Sequence, residues 1–306
     1  MKNRQGAGGH LEGRSRLNTD ICVAPDINPG RYCVMLRALI SDLTPPIILR
    51  PVQTFWRRAR GLGTHTFEGC YQTLADVPCG EGRYDDAALA EDIAAKLEQL
   101  RTPDTYSTFD GEGRSILPLI VGQLGRRTTR VLDFGGGPCA GLRLIADQVP
   151  SLDLASFSYI LVETPALCRA IKKRIDPILI QRFKTASFVG IYDIVPPVGE
   201  DIAIVNASSA IQYISDWRST ITQLVALSPG YFIVGLTPFT DAPTYARQQL
   251  NIPHRHIATW VFNRDEFLST MRTLGYRPIF GADHDVPVTH ARAPAKSVFS
   301  TIVFQR

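Results

Sequence analysis

Val131-Leu132-Asp133-Phe134-Gly135-Gly136-Gly137-Pro138-Cys139 is the stretch that decides the fold. RVLDF, residues 130–134, is a short apolar run that reads as a strand, and three glycines follow it without a break. GLRLIADQV, residues 141–149, then takes up helical spacing. A chain passing from strand to helix within a few residues has to bend tightly. Glycine allows that bend, and it also lets a ligand approach backbone atoms that a Cβ would shield.

Outward from this turn the alternation repeats. SYILVE (158–163) reads as a second strand with the helix ALCRAIKKRI (166–175) behind it, and FKTASFVGIYD (183–193) holds a third. DIAIVNASS (201–209) is a fourth, followed by the helical SDWRSTITQLVAL (215–227), and PGYFIVGL (229–236) is a fifth. RDEFLSTMRTLG (264–275) is a helix stopped by Gly275, and YRPIFGADHD (276–285) and AKSVFSTIVFQR (295–306) are two terminal strands. Five strand–helix alternations predict a parallel sheet with helices on both faces, and the last pair, with no helix between them, predicts an antiparallel hairpin at or near its edge. Upstream, Asp85 or Asp86 can cap a helix running to Leu100, and Ser115 to Leu124 reads as another.

Composition bounds the possibilities. The 306 residues are 44% hydrophobic and 20% charged, ordinary for a globular chain. No apolar run approaches the ~20 residues of a membrane-spanning helix, and the N-terminus lacks the apolar core of a secretory signal. The six cysteines (22, 33, 70, 79, 139 and 168) form no CxxC pair and have no histidine at zinc spacing. Reduced thiols in a cytoplasmic protein without a bound metal are the expectation. The net charge of +4 is concentrated at the front: residues 1–60 hold ten Lys/Arg against four Asp/Glu, so the rest of the chain is slightly acidic. An acidic body argues against nucleic acid as a partner. Residues 1–33 read as a tail and 34–114 as a strap and helical lid, with the sheet domain at 115–306. Within the strap, 34–60 interleaves Leu, Ile, Phe and Trp with Arg, which suits packing on the domain or docking on an anionic membrane face.

The glycine turn also speaks to the ligand. A dinucleotide site wants G-x-G-x-x-G. Here Gly135 and Gly137 are in place, Gly136 adds a third in a row, and Pro138-Cys139 breaks the spacing. Asp133, just ahead of the glycines, would repel a pyrophosphate and suits a cationic or hydroxyl-bearing ligand, such as the amino-acid part of S-adenosylmethionine (SAM). Glu163, closing the second strand, stands where an acid meets ribose hydroxyls. Asp193, after the third strand, is placed to reach an adenine amino group.

At these residues the chain resembles the class I SAM-dependent methyltransferases, and within them a bacterial family marked by an LDFGG motif. The similarity is carried by LTPPIILRPVQTFWR (43–57), FEGCYQTLADV (67–77), RYDDAAL (83–89), VLDFGGG, YILVETP and SSAIQYISDW (208–217). LTPF (236–239), Gln248-Gln249, IPHRH (252–256) and WVFNRDEFLSTMRTLGY (260–276) complete it. The resemblance implies a Rossmann-like α/β fold, a seven-stranded mostly parallel sheet with an antiparallel final strand and an N-terminal helical extension. It further implies SAM as cofactor, seated by Asp133, Gly135, Gly136, Gly137 and Glu163. The acceptor it implies is a saccharide or another small molecule, methylated on oxygen. Three positions depart from the family: the third glycine of G-x-G-x-G is Cys139, Leu236 replaces a frequent basic residue, and Gln212-Tyr213 stand where many small-molecule O-methyltransferases carry a catalytic histidine.

A general base is therefore sought elsewhere. His254 and His256 lie between the fifth strand and the next helix, at the end of the sheet where ligands bind, and histidine titrates near working pH. His65 and Tyr213 are the alternatives. Two other functions stay open on sequence grounds, a nucleotide-dependent oxidoreductase and a non-catalytic SAM-binding partner protein.

Overall fold

Thr129–Phe134 forms strand β2 in the computed structural model, with four of its last five positions fully enclosed by helices on both sides. The structure describes residues 67–78, 86–99, 116–124, 129–149, 157–174, 187–189, 202–252, 255–284, 286, 288 and 292–306, all within the unit Arg58–Arg306. The expected boundaries at 33/34 and 114/115, and the basic segment 34–60, lie outside the described residues.

Around β2 run β3 (Phe157–Val162), β4 (Ser187–Val189), β5 (Ile204–Asn206) and β6 (Tyr231–Thr240). The pairs β4–β3, β3–β2, β2–β5 and β5–β6 are all parallel. Two terminal strands, β9 (Arg277–His284) and β10 (Ser297–Gln305), continue the sheet. β10 lies antiparallel between β6 and β9. The resulting order β4-β3-β2-β5-β6-β10-β9 is the expected seven-stranded sheet with an antiparallel final strand, which sits one position in from the edge.

Side chains alternate across the sheet, and each face has its own core. Leu132, Phe134, Ile160, Val162 and Val205 pack with Trp217, Ile221, Phe267 and Met271 from α5 (Trp217–Ala226) and α6 (Arg264–Thr273). Val131, Tyr159, Leu161 and Ile204 pack on the other side with α1 (Ala87–Gln99), α2 (Ile116–Leu124), α3 (Ala140–Gln148) and α4 (Pro165–Arg174). The helix starts follow capping chemistry: Asp86 Oδ1 accepts the Ala88 N–H at 2.8 Å, Asp216 Oδ1 that of Ser219 at 3.1 Å and Asn263 Oδ1 that of Glu266 at 2.8 Å. α1, expected within a lid, packs its Ala90 and Ala94 into the second core, and Glu91 pairs with Lys173 and Arg174 of α4.

The count of strands exceeds the expected seven. Three more, β1 (Phe67–Tyr71), β7 (Tyr245–Ile252) and β8 (Arg255–Asn263), form an antiparallel arm in the order β1-β7-β8. The arm joins the main sheet where Phe239 and Thr240 of β6 pair with Phe262 and Asn263 of β8. A bulge in β6 prepares the departure: Gly235 and Leu236 together oppose Thr301 of β10, and Leu236 adopts φ +48°. β1 is pinned by a buried cation. Arg247 on β7 donates from Nε to the Gly69 carbonyl at 3.0 Å and from an Nη to that of Phe67 at 2.8 Å, with its guanidinium 5.7 Å from the Phe67 ring. Burial pulls the Arg247 pKa below its ordinary value.

Candidate functional site

The carboxyl ends of β2, β3 and β5 meet around the glycine turn. Asp133 is 2% exposed, and both carboxylate oxygens hold protein donors. The Tyr159 hydroxyl donates to Oδ2, and the Asn206 side-chain amide donates to Oδ1 at 2.7 Å. Asn206 in turn accepts from Ser208 Oγ at 2.7 Å. The carboxylate so held lies under the turn: a Cβ on Gly136 would come within 2.4 Å of Asp133 Oδ2 and 2.8 Å of Leu161 Cδ1. Sequence reading places Asp133 on the ligand itself; the geometry engages its two oxygens with Tyr159 and Asn206 and sets them close against the glycine turn.

Above it the turn is open. Gly137 has φ +56°, and a Cβ built there would meet no atom within 4 Å. Its N–H donates to Glu163 Oε1 at 3.0 Å, and the Thr164 N–H donates to Oε2 at 3.0 Å. Glu163 therefore bridges from the end of β3 to the turn after β2, and each oxygen keeps lone-pair capacity for a further donor. Burial raises the Glu163 pKa, partly countered by these two backbone hydrogen bonds. Cys139, where the family pattern has glycine, takes the left-handed conformation itself (φ +57°) at the start of α3. The departure in residue type leaves the path of the chain as a glycine would set it. Burial raises the thiols of Cys139, well above the ordinary value, and Cys168, to about 11, so neither is a thiolate nucleophile near neutral pH.

The second part of the site lies after β5, in the 3-10 turn Ile211–Tyr213. The Tyr213 hydroxyl donates to Gln249 Oε1 on β7 at 3.0 Å, tying this turn to the arm. On the neighbouring residue, Gln248 Nε2 donates to the Pro78 carbonyl and lies 3.1 Å from His256 Nδ1. Because the Pro78 carbonyl can only accept, the amide nitrogen faces both partners and His256 Nδ1 is the acceptor. The neutral ring then carries its proton on Nε2. His256 lies on β8 and its side chain is exposed. Beside this region a cleft of about 340 Å³ opens between the start of α5 and the arm, with Trp217, Trp260, Gln72 and Thr244 in its walls and the Arg218–Glu266 ion pair across it.

The structure thus brings Asp133, Gly135, Gly136, Gly137 and Glu163 together and sets Tyr213 in the 3-10 turn that follows the neighbouring strand β5. His254, His65 and Asp193 lie outside the described residues. Among the described residues no three His, Cys, Asp or Glu side chains gather as a metal site, and no helix is long and apolar enough to cross a membrane. Sequence reasoning overlooks Tyr159 and Asn206, and finds the Gln248–Gln249 pair only as part of the resemblance, with no role attached. Asn206 carries the same signal as Asp133, a polar residue closing a buried strand, and Tyr159 faces the same layer two residues before Leu161.

No protein-family description matches the chain, and no curated protein does. Solved structures do match it. A 1,6-didemethyltoxoflavin-N1-methyltransferase from Burkholderia thailandensis shares 16% identity over 72% of this chain and 88% of its own, at a TM-score of 0.44. A magnesium protoporphyrin IX methyltransferase from Synechocystis PCC 6803, solved with SAH, shares 11% over 74% and 90%, at 0.43. A methyltransferase bound to the activator Trm112 from Haloferax volcanii shares 14% over 74% and 98%, at 0.45. Likeness of this degree carries no information on activity, which has to come from the site.

Proposed function

We propose that the chain is a SAM-dependent methyltransferase acting on an oxygen of a saccharide or small metabolite. The observation that carries this reading is the Glu163 bridge to Gly137, a carboxylate held at the rim of an open glycine turn. Two acidic side chains beside the turn disfavour a pyrophosphate and suit a ligand with an amino-acid cation and ribose hydroxyls. The sheet agrees: a dinucleotide-binding sheet runs parallel in the order 3-2-1-4-5-6, whereas here antiparallel β10 lies between β6 and β9. That difference also counts against a nucleotide-dependent oxidoreductase.

In this reading the Gly137 backbone and Glu163 hold the nucleoside and methionine parts, with Asp133 fixing the turn from beneath and Asp193 on the adenine. SAM supplies an electrophilic methyl group on a sulfonium. The chain's contribution is alignment and exclusion of water, the terms that govern an in-line displacement. Tyr213, whose hydroxyl donates to Gln249, stands beside the acceptor as a catalytic candidate. His256, with Nδ1 occupied, presents an N–H that orients an acceptor oxygen, and His254 is the candidate general base. The neutral amides and hydroxyls of Tyr213, Gln248 and Gln249 suit an uncharged polyhydroxylated acceptor. Residues 34–60 add contact with an anionic membrane face.

Calorimetric titration of the full chain with SAM and, separately, with NAD tests the reading. Micromolar binding of SAM and none of NAD is expected; NAD binding in place of SAM overturns it.

A further inference from the structure

Gln212 sits in the turn that leaves the carboxyl end of β5 and is 1% exposed. Its Nε2 lies 3.5 Å from Ser209 Oγ and 3.5 Å from the Leu236 carbonyl oxygen, both at the long limit for a hydrogen bond. The Leu236 carbonyl can only accept, so the nitrogen belongs on that side and the oxygen on the other. Gln212 Oε1 is buried and has no hydrogen-bond partner in the protein.

The residues that Gln212 spans are themselves held in costly conformations. Ser209 has φ +55° and Leu236 φ +48°, left-handed backbone without glycine, and the Ser209 N–H locks to the Gly235 carbonyl at 2.7 Å. Two unfavourable backbones and one orphaned carbonyl thus converge just beyond the end of β5, beside the bulge in β6. One strand over, Asn206 of β5 reaches Asp133. A native fold retains such a group where a ligand completes it.

We propose that Gln212 Oε1 faces the transferring end of the methyl donor and binds the sulfonium and its polarised methyl group by charge–dipole attraction and C–H···O contact. This rests on the methyltransferase reading above. The chemistry selects a cation: a neutral amide cannot take a proton from an acceptor, and a carbonyl dipole removed from water gains most from a positive charge. The residue that replaces the usual histidine here is then a binding residue for the donor.

The test compares three ligands on the full-length protein by calorimetry. SAM carries the sulfonium, S-adenosylhomocysteine (SAH) is the neutral thioether, and sinefungin carries an ammonium where SAM has its methyl. Gln212→Met keeps the length and removes the oxygen. It is expected to lose roughly tenfold in affinity for SAM and sinefungin while changing SAH by about twofold or less. Gln212→Glu, isosteric with the native residue, is the second variant and should raise the SAM-to-SAH affinity ratio above wild type. An unchanged ratio in either folded variant, or an equal loss for all three ligands, overturns the proposal. Failure of wild-type protein to bind any of the three overturns the methyltransferase reading instead.

Discussion

The turn after β2 places Gly135 and Gly137 at φ +66° and +56°, while the walls at β5 and β6 put Ser209 and Leu236 at +55° and +48°. Similar backbone is reached by glycine in one region and by ordinary side chains in the other. Glycine adopts it without penalty, whereas a residue with a Cβ is strained by about 1–2 kcal/mol. The glycine turn is soft and is made rigid from below by Asp133, Tyr159 and Asn206. The second region carries its constraint in the backbone itself and leaves one buried side-chain oxygen unmatched. Substitutions that separate these two ways of holding a shape test the contrast.

The largest effect is expected for Asp133→Ala. It strands the Tyr159 hydroxyl and the Asn206 amide in the interior, and about 3 kcal/mol of stability should be lost, read from denaturant unfolding. If Asp133 acted on the ligand alone, stability would be near wild type and only binding would fall. Gly136→Ala comes next. Its Cβ has 2.4 Å to a carboxylate that two donors hold in place, so about 2 kcal/mol of overpacking is expected in the same assay. Gly137→Ala has open space around its Cβ but puts alanine at φ +56°, so about 1 kcal/mol of stability should be lost in that assay, together with SAM affinity in calorimetry.

Glu163 gives the pH-dependent form of the comparison. Burial raises its folded pKa above the ordinary value of 4.5, so the folded chain holds the proton more tightly than the unfolded one. Between 4.5 and the raised value, its contribution to stability therefore declines as pH rises. Ligand binding has the opposite sign, because only the carboxylate can accept from both ribose hydroxyls. Affinity for SAM should fall on acidification, starting at a higher pH than for an exposed glutamate, and Glu163→Gln should flatten that limb in calorimetric titrations across pH. The smallest effect is assigned to Ser209→Gly, which relieves left-handed strain and should stabilise the unliganded protein by about 1 kcal/mol. No gain in the unfolding midpoint would mean that the turn is not strained.

The two regions were also unequally legible. Apolar strands closed by Asp133 and Glu163, with helices between them, prescribe the parallel sheet, because doubly covered strands must be apolar throughout. The arm gives no such sign. YARQQLNI in β7 buries Arg247, Gln248 and Gln249 at 0%, 7% and 4% exposure, so its inward positions look like a solvated loop. Those polar residues are satisfied by the β1 and Pro78 carbonyls and by Tyr213 and His256, which are remote in sequence. The left-handed Leu236 is illegible for the same reason, since nothing in its residue type announces a bulge that only the pairing with Thr301 defines. Gln212 is visible in the sequence as a missing base; its orphaned oxygen emerges only once Leu236 is seen to hold the amide nitrogen.

β6 carries both the seven-stranded part of the sheet and the arm, and among the described residues its backbone pairing with the arm is confined to Phe239 and Thr240. Seams this narrow open independently: amide protons of β7 and β8 should exchange with solvent deuterium well before those of β2 and β3. A narrow seam is also a place where lineages can splice. An arm of another length or polarity could be grafted beyond the Leu236 bulge without disturbing the register of the seven strands, so that, on the methyltransferase reading proposed above, the donor half can stay fixed while its appetite for acceptors drifts.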